Sequence, residues 1–186
     1  MFIQTEATPN PATLKFLPGQ VVMDEGTADF RQAEAAAEQS PLAGKLFGIE
    51  GVSGVFFGYD FVTITKEETL EWAHLKPAIL AAIMEHFMAG HPTMAGVAND
   101  VDEDEFFDEG DEAIVTTIKE LIDTRVRPAV AQDGGDITFR GFKEGTVFLH
   151  MKGACAGCPS STATLKHGIQ NLLQHFIPEV QQVEAV

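Results

Sequence analysis

Read for hydrophobic period, the chain falls into two blocks of mixed strand and helix, separated by a stretch with no period at all. In the first block, FIQTE and ATLKFLP alternate apolar and polar residues at period two, which predicts short strands, and the two prolines of the intervening TPNP exclude a helix. SPLAGKLFG predicts a short helix with Ser40 as N-cap, Pro41 in the first position and Gly48 at the close. VSGVFFGYDFVTITK predicts a hairpin around Gly58-Tyr59-Asp60. Trp72, Leu75, Ile79, Ile83 and Phe87 then recur at threes and fours, a helix that ends before Gly90, with Pro77 near its first turn or at a kink. The order ββαββα predicts an α+β sandwich with helices on one face of an antiparallel sheet.

The second block opens on a helix whose stripe is Ile114, Ile118, Leu121, Ile122 and Val126, with Asp111 and Glu112 at its positive end. Gln132 to Asp136 reads as a turn. DITFRGF and TVFLHMK form a hairpin through Lys143-Glu144-Gly145, with Ile137 and Phe139 facing Val147, Leu149 and Met151. A helix carrying Leu165, Ile169, Leu172, Leu173 and Phe176 ends at Pro178, and QQVEAV supplies a third strand, giving αββαβ. The fold class expected is α+β, with residues 1–90 and 111–186 as two small domains and residues 91–110 as a linker.

Charge gives the linker its character. Of a net charge of −16, more than half lies between residues 98 and 113, which hold nine acidic and no basic side chains. Like charges at that density cannot form a core, so the segment reads as extended and solvated; a linker of roughly 20 residues has a root-mean-square span of about 25 Å. Its acids lack the alternation and central glycine of an EF-hand loop. Phe106-Phe107 is out of character there, and either docks on a partner or packs locally. An apolar content of 45% and a charged content of 22% fit globular domains, and the acidic balance disfavours nucleic acid. The longest apolar stretch, AILAAIMEHFMAG, is broken by Glu85 and His86 and falls short of the roughly 18 residues of a membrane span, so no membrane partner is expected. The opening MFIQTEATPNP shows no basic region followed by an apolar core, and two cysteines are too few for a disulfide framework; a reducing compartment is expected.

Those two cysteines carry the chemistry. Cys155 and Cys158 lie in GACAGCPSST, between a strand and a helix, with Pro159 in the first helical position. Free N–H groups and the positive end of the helix dipole favour a thiolate there, Ser160, Ser161 and Thr162 are candidate donors to sulfur, and Gly153 and Gly157 let the backbone fold around a bulky ligand. A lone CxxC serves zinc, iron–sulfur clusters and dithiol redox chemistry alike, and an incidental pair is the bland alternative. Thioredoxin-like proteins use an aromatic residue before the first cysteine, where this chain has Ala154. Zinc and iron–sulfur clusters each want about four ligands. The histidines stand at no ligand spacing: His74, His86 and His91 read as helix-surface residues, and His150, His167 and His175 as surface or structural ones. Two copies of the chain about a two-fold axis would bring four thiolates together.

The stretch Asp133-Gly134-Gly135-Asp136-Ile137, Gly145-Thr146-Val147 and Gly153 to Ser161 resembles the NifU-like C-terminal domain of the Nfu iron–sulfur cluster carriers, and MFIQTEATPNPATLKFLPG resembles the N-terminal domain of the same family. The resemblance implies a non-enzymatic scaffold or carrier. Its cargo would be a 4Fe-4S cluster, with 2Fe-2S as the alternative, bridging a homodimer through Cys155 and Cys158. An upstream scaffold protein would be the donor and apo iron–sulfur proteins the recipients, with the N-terminal domain recognising clients or partners. The competing function is a dithiol oxidoreductase using the same pair. The expected location is the bacterial cytoplasm, or the mitochondrial matrix for a mature eukaryotic form.

Overall fold

The computed structural model describes residues 1–96, 105–157 and 159–186, with the backbone alone for 159–161. The chain divides into two compact units, Met1–Asp100 and Val101–Val186, and both are α+β.

The first unit runs β1 (Gln4–Ala7), β2 (Thr13–Leu17), β3 (Ala28–Phe30), α1 (Ala33–Gln39), α2 (Pro41–Phe47), β4 (Val52–Phe57), β5 (Val62–Lys66) and α3 (Trp72–Met88). Its five-stranded sheet has the order β1-β2-β5-β4-β3, antiparallel throughout. Two elements were not foreseen in the sequence. The three residues of β3 are too few to show a period, and α1 buries only Ala36, so its signal is the helix propensity of AEAAAEQ and not an apolar stripe. Ser40 caps α2 as expected, accepting from the Ala43 N–H at 3.0 Å, and its hydroxyl donates onward to the Thr93 carbonyl.

Leu14, Phe16, Val55, Phe57, Val62 and Ile64 share one sheet face and form a core with Leu42 and Leu46 of α2 and with Leu75, Ile79 and Ile83 of α3. Lys15 is buried among the alternate residues. Its ammonium lies 4.6 Å from the centre of the Phe61 ring and 3.7 Å from a Glu6 carboxylate oxygen, which gives the charge a partner while its stem stays packed. His86 is a correction to the reading of a surface histidine. It stands three positions after Ile83 and seven after Ile79, on the inward stripe, and is only 1% exposed. Burial, and then the nearby Lys45 ammonium, hold its pKa below the ordinary histidine value. Residues 91–96, expected in the linker, fold back instead: the Ala95 N–H donates to the Gln39 carbonyl at 2.8 Å, and Met94 packs on the core.

The second unit opens on α4 (Glu112–Leu121), which passes through a π-helical turn (Ile122–Val126) into α5 (Arg127–Gln132). Pro128 explains the wide turn. It has no N–H to offer and its ring crowds the carbonyl four residues back, so the helix widens and the Arg127 N–H bonds the Ile122 carbonyl, five residues away. β6 (Gly135–Lys143) and β7 (Thr146–Gly153) are antiparallel, α6 (Pro159–Phe176) follows, and β8 (Gln182–Ala185) returns parallel to β7, so the sheet order is β6-β7-β8. The hairpin pairs Ile137 with Met151 and Phe139 with Leu149, then shifts register so that Phe142 faces Val147. Phe139 and Phe142 are three apart, and in a regular strand they would face opposite sides. A bulge at Arg140 turns both into the core. Phe176 departs from the expected stripe of α6. It is 47% exposed, with the Arg125 guanidinium 5.2 Å from its ring centre, while the next residue, Ile177, is buried in its stead. Among the described residues no helix is long and apolar enough to cross a membrane.

Candidate functional site

Cys155 sits in the turn that carries the chain from β7 to α6. Local backbone chemistry creates the seat. Gly134 and Gly153 lie at the open end of the β6–β7 hairpin with positive φ of 82° and 63°, values that exclude most side chains, and the Ala154 N–H donates to the Gly134 carbonyl at 3.2 Å. This folds the turn back over the first residue of β6. That residue is Gly135, paired across the hairpin with Gly153. A Cβ on Gly135 would stand 2.5 Å from Cys155 Sγ, 2.8 Å from the Lys152 carbonyl oxygen and 3.0 Å from the Cys155 nitrogen. The sulfur therefore occupies the space a side chain would take, and Cys155 is 6% exposed. From the far side, Thr162 Oγ1 in the first turn of α6 donates to the Cys155 carbonyl at 3.0 Å. The threonine hydroxyl, a candidate donor to sulfur, is thus spent on backbone; the Ser160 and Ser161 side chains lie outside the described residues.

Behind the seat, Asp136 anchors β6 to the first residue of α5. Its carboxylate is 5% exposed and takes a two-pronged grip from Arg127, Nε to Oδ1 and Nη2 to Oδ2, both at 2.8 Å. Oδ1 also accepts the Ile137 N–H at 2.8 Å. The paired carboxylate holds the guanidinium pKa above its ordinary value. Sequence reasoning passed over this pair; its trace was an arginine just before Pro128 and an aspartate at the strand start.

The electrostatics at sulfur differ from those expected at a helix start. Cys155 lies ahead of α6, and burial, followed by the negative charges of Asp133 and Asp136, pushes its thiol up to about 12. The seat as described is that of a protonated thiol, and a metal-bearing cargo would have to displace its proton. Cys158 lies outside the described residues, and Pro159 opens α6 as expected. Gly157 between them has a φ of 81°, a conformation that most side chains disfavour, with nothing among the described residues within 4 Å of a notional Cβ. His74, His91, His167 and His175 are exposed and His150 is half-buried. Among the described residues no three His, Cys, Asp or Glu side chains cluster as a metal site.

Comparison with known proteins agrees in order and extent. The family model "Scaffold protein Nfu/NifU N terminal" matches residues 3–90, and the "NifU-like domain" matches residues 118–184. The human protein named "NFU1 iron-sulfur cluster scaffold homolog, mitochondrial" is 54% identical over the whole of this chain, which covers 72% of it. The Drosophila willistoni protein of the same name is 53% identical; there too the match takes in the whole chain, which spans 64% of the relative's length, just under two thirds. A solution structure of a NifU-like protein from Saccharomyces cerevisiae is 27% identical, with a TM-score of 0.47 over 51% of this chain and 85% of that one. Two domain models in series and a human relative matched along the full chain make this protein a member of the Nfu family of iron–sulfur cluster scaffold proteins.

Proposed function

We propose that the chain is a carrier whose cargo is a 4Fe-4S cluster, held between two copies by Cys155 and Cys158 of each and delivered to apo iron–sulfur proteins. The observation that carries this reading is the seat of Cys155: a buried thiol over a glycine, beside two acids, in a chain with only one other cysteine. One chain offers two thiolates and the cluster takes about four ligands, so the cargo is shared and is exposed when the copies part. A thiol that resists ionisation also suits delivery. Its proton leaves when a cation binds and returns as the cation departs, so release is helped by the same burial and negative charge that shape the metal-free state. The competing dithiol oxidoreductase needs a low-pKa thiolate at one of the two cysteines, and a reversible Cys155–Cys158 disulfide in a metal-free monomer would favour it instead. In this reading residues 1–90 recognise clients, residues 111–186 hold cargo, and the protein is not an enzyme. The mitochondrial names of the relatives favour the matrix over a bacterial cytoplasm.

Anaerobic reconstitution with iron and sulfide tests the proposal. The expected product is a brown dimer with about four irons and four sulfides, bleached by air. Cys155→Ala and Cys158→Ala should each drop iron to background and leave a monomer. Full loading of either variant, or a loaded monomer, would sink the shared site, and two irons per dimer would replace the 4Fe-4S cargo with 2Fe-2S.

A further inference from the structure

The aromatic pair of the acidic stretch has no part in the site at Cys155, yet its first member is held by four separate contacts on the second unit. Glu105 places both carboxylate oxygens on Lys119 Nζ of α4, at 2.8 and 2.9 Å. The Phe106 N–H donates to the Arg140 carbonyl at 3.1 Å and the Phe106 carbonyl accepts from the Phe142 N–H at 2.9 Å, a parallel bridge opposite Gly141. The Phe106 ring covers Gly141, where a Cβ would come within 2.4 Å of it, and lies 5.2 Å from the Phe148 ring centre.

We propose that the outer edge of β6 at its bulge is a docking site for an extended segment in which an acidic residue precedes an aromatic one, and that Glu105–Phe106 is its resident ligand in cis. Each contact reads a different feature. Lys119 reads the acid, the two carbonyl–amide bonds read an extended backbone, and the open space over Gly141 beside Phe148 reads a flat ring. A strand edge offers unpaired backbone groups to any chain that can align with it, and here the bulge limits the pairing to a single residue. Phe106 remains 45% exposed when docked, so it can leave without opening the core. The segment is tethered through Glu109–Asp111 to α4 and acts at an effective concentration on the order of millimolar. A partner presenting the same chemistry has to displace it. The site is independent of what Cys155 carries.

The test uses the full chain and a fluorescein-labelled peptide, DEDEFFDEG, copied from residues 102–110. Phe106→Ala vacates the slot, and this chain should bind the peptide at least about tenfold more tightly than the unaltered chain, whose slot is filled in cis. Adding Lys119→Gln should weaken binding several-fold and flatten its salt dependence. Equal affinity for the two chains, or no binding to Phe106→Ala, overturns the proposal. Amide exchange supplies a readout that survives a failed variant: with Lys119→Gln alone, the Phe142 amide should exchange several-fold faster while Ile118 stays protected. An unchanged Phe142 rate would equally overturn it.

Discussion

Arg127→Ala is expected to lower the stability of the second unit by about 3 kcal/mol, because it removes the two-pronged guanidinium contact from the buried Asp136 carboxylate. The other contact of Arg127, to Asp123 one turn back at 3.3 Å, is exposed and is worth a few tenths of a kcal/mol at most. The cost therefore belongs almost wholly to the pairing with Asp136, and a double-mutant cycle separates it. Asp136→Leu alone should also destabilise, by stranding the guanidinium and the Ile137 N–H. The double variant Arg127→Ala, Asp136→Leu removes both charges together and should recover about 2 kcal/mol relative to the sum of the single changes. Urea unfolding followed through the circular dichroism of the full chain measures each corner. Additive single effects would mean that the two residues act separately, and the bidentate geometry would then have no energetic role. Arg127→Lys is informative as well. A single ammonium cannot reproduce two parallel bonds, so it should rescue only part of the loss.

This pair also marks where sequence reading stops. The αββαβ order, the capping by Ser40, Pro159 at the start of α6 and the inward face of the hairpin were legible because each is set by local period or by one residue's backbone preference. What was not legible depends on geometry between distant residues. Ile137 and Phe139 fit a simple alternation, and nothing local to them shows that Arg140 bulges outward to bring Phe142 inside. His86 carries a polar name on an apolar stripe, and the name misled where the spacing from Ile79 and Ile83 was sound. β3 and α1 were lost for opposite reasons, one too short for a period and the other nearly all alanine and glutamate. At the candidate site, the spacing of Cys155 and Cys158 was visible at once. The sign of the electrostatics at Cys155 was not, because Asp133 and Asp136 reach it only after the hairpin closes. Phe106 was flagged as out of place in an acidic run, and its receptor, a glycine 35 positions further on, emerges only from the fold.

Gly135→Ala is expected to drive Cys155 out of its seat. The added Cβ would meet sulfur at 2.5 Å, and two of its three close neighbours are backbone atoms, the Lys152 carbonyl oxygen and the Cys155 nitrogen, which cannot rotate away as the end of a side chain can. Relief has to come from the turn itself, so sulfur moves toward solvent and the hairpin end loosens, at a cost of about 1–3 kcal/mol. Thiol accessibility reads this directly. In a Cys158→Ala background Cys155 is the chain's one remaining cysteine, and at 6% exposure its reaction with a maleimide at neutral pH should be slow. Gly135→Ala should accelerate that reaction at least tenfold. Gly168→Ala supplies the control, since it lies on α6 with nothing among the described residues within 4 Å of the new methyl group and should leave the rate unchanged or slow it slightly as the helix gains propensity. If the two alanines behave alike, the glycine seat does not protect Cys155. If Gly135→Ala exposes the thiol while both natural cysteines remain, the iron retained after reconstitution should fall well below that of the unaltered chain, because the proposed shared cluster would require each copy to present its sulfurs in one fixed geometry. Loss of iron without a gain in thiol reactivity would instead assign the damage to the dimer contact and clear Gly135 of any direct hold on sulfur.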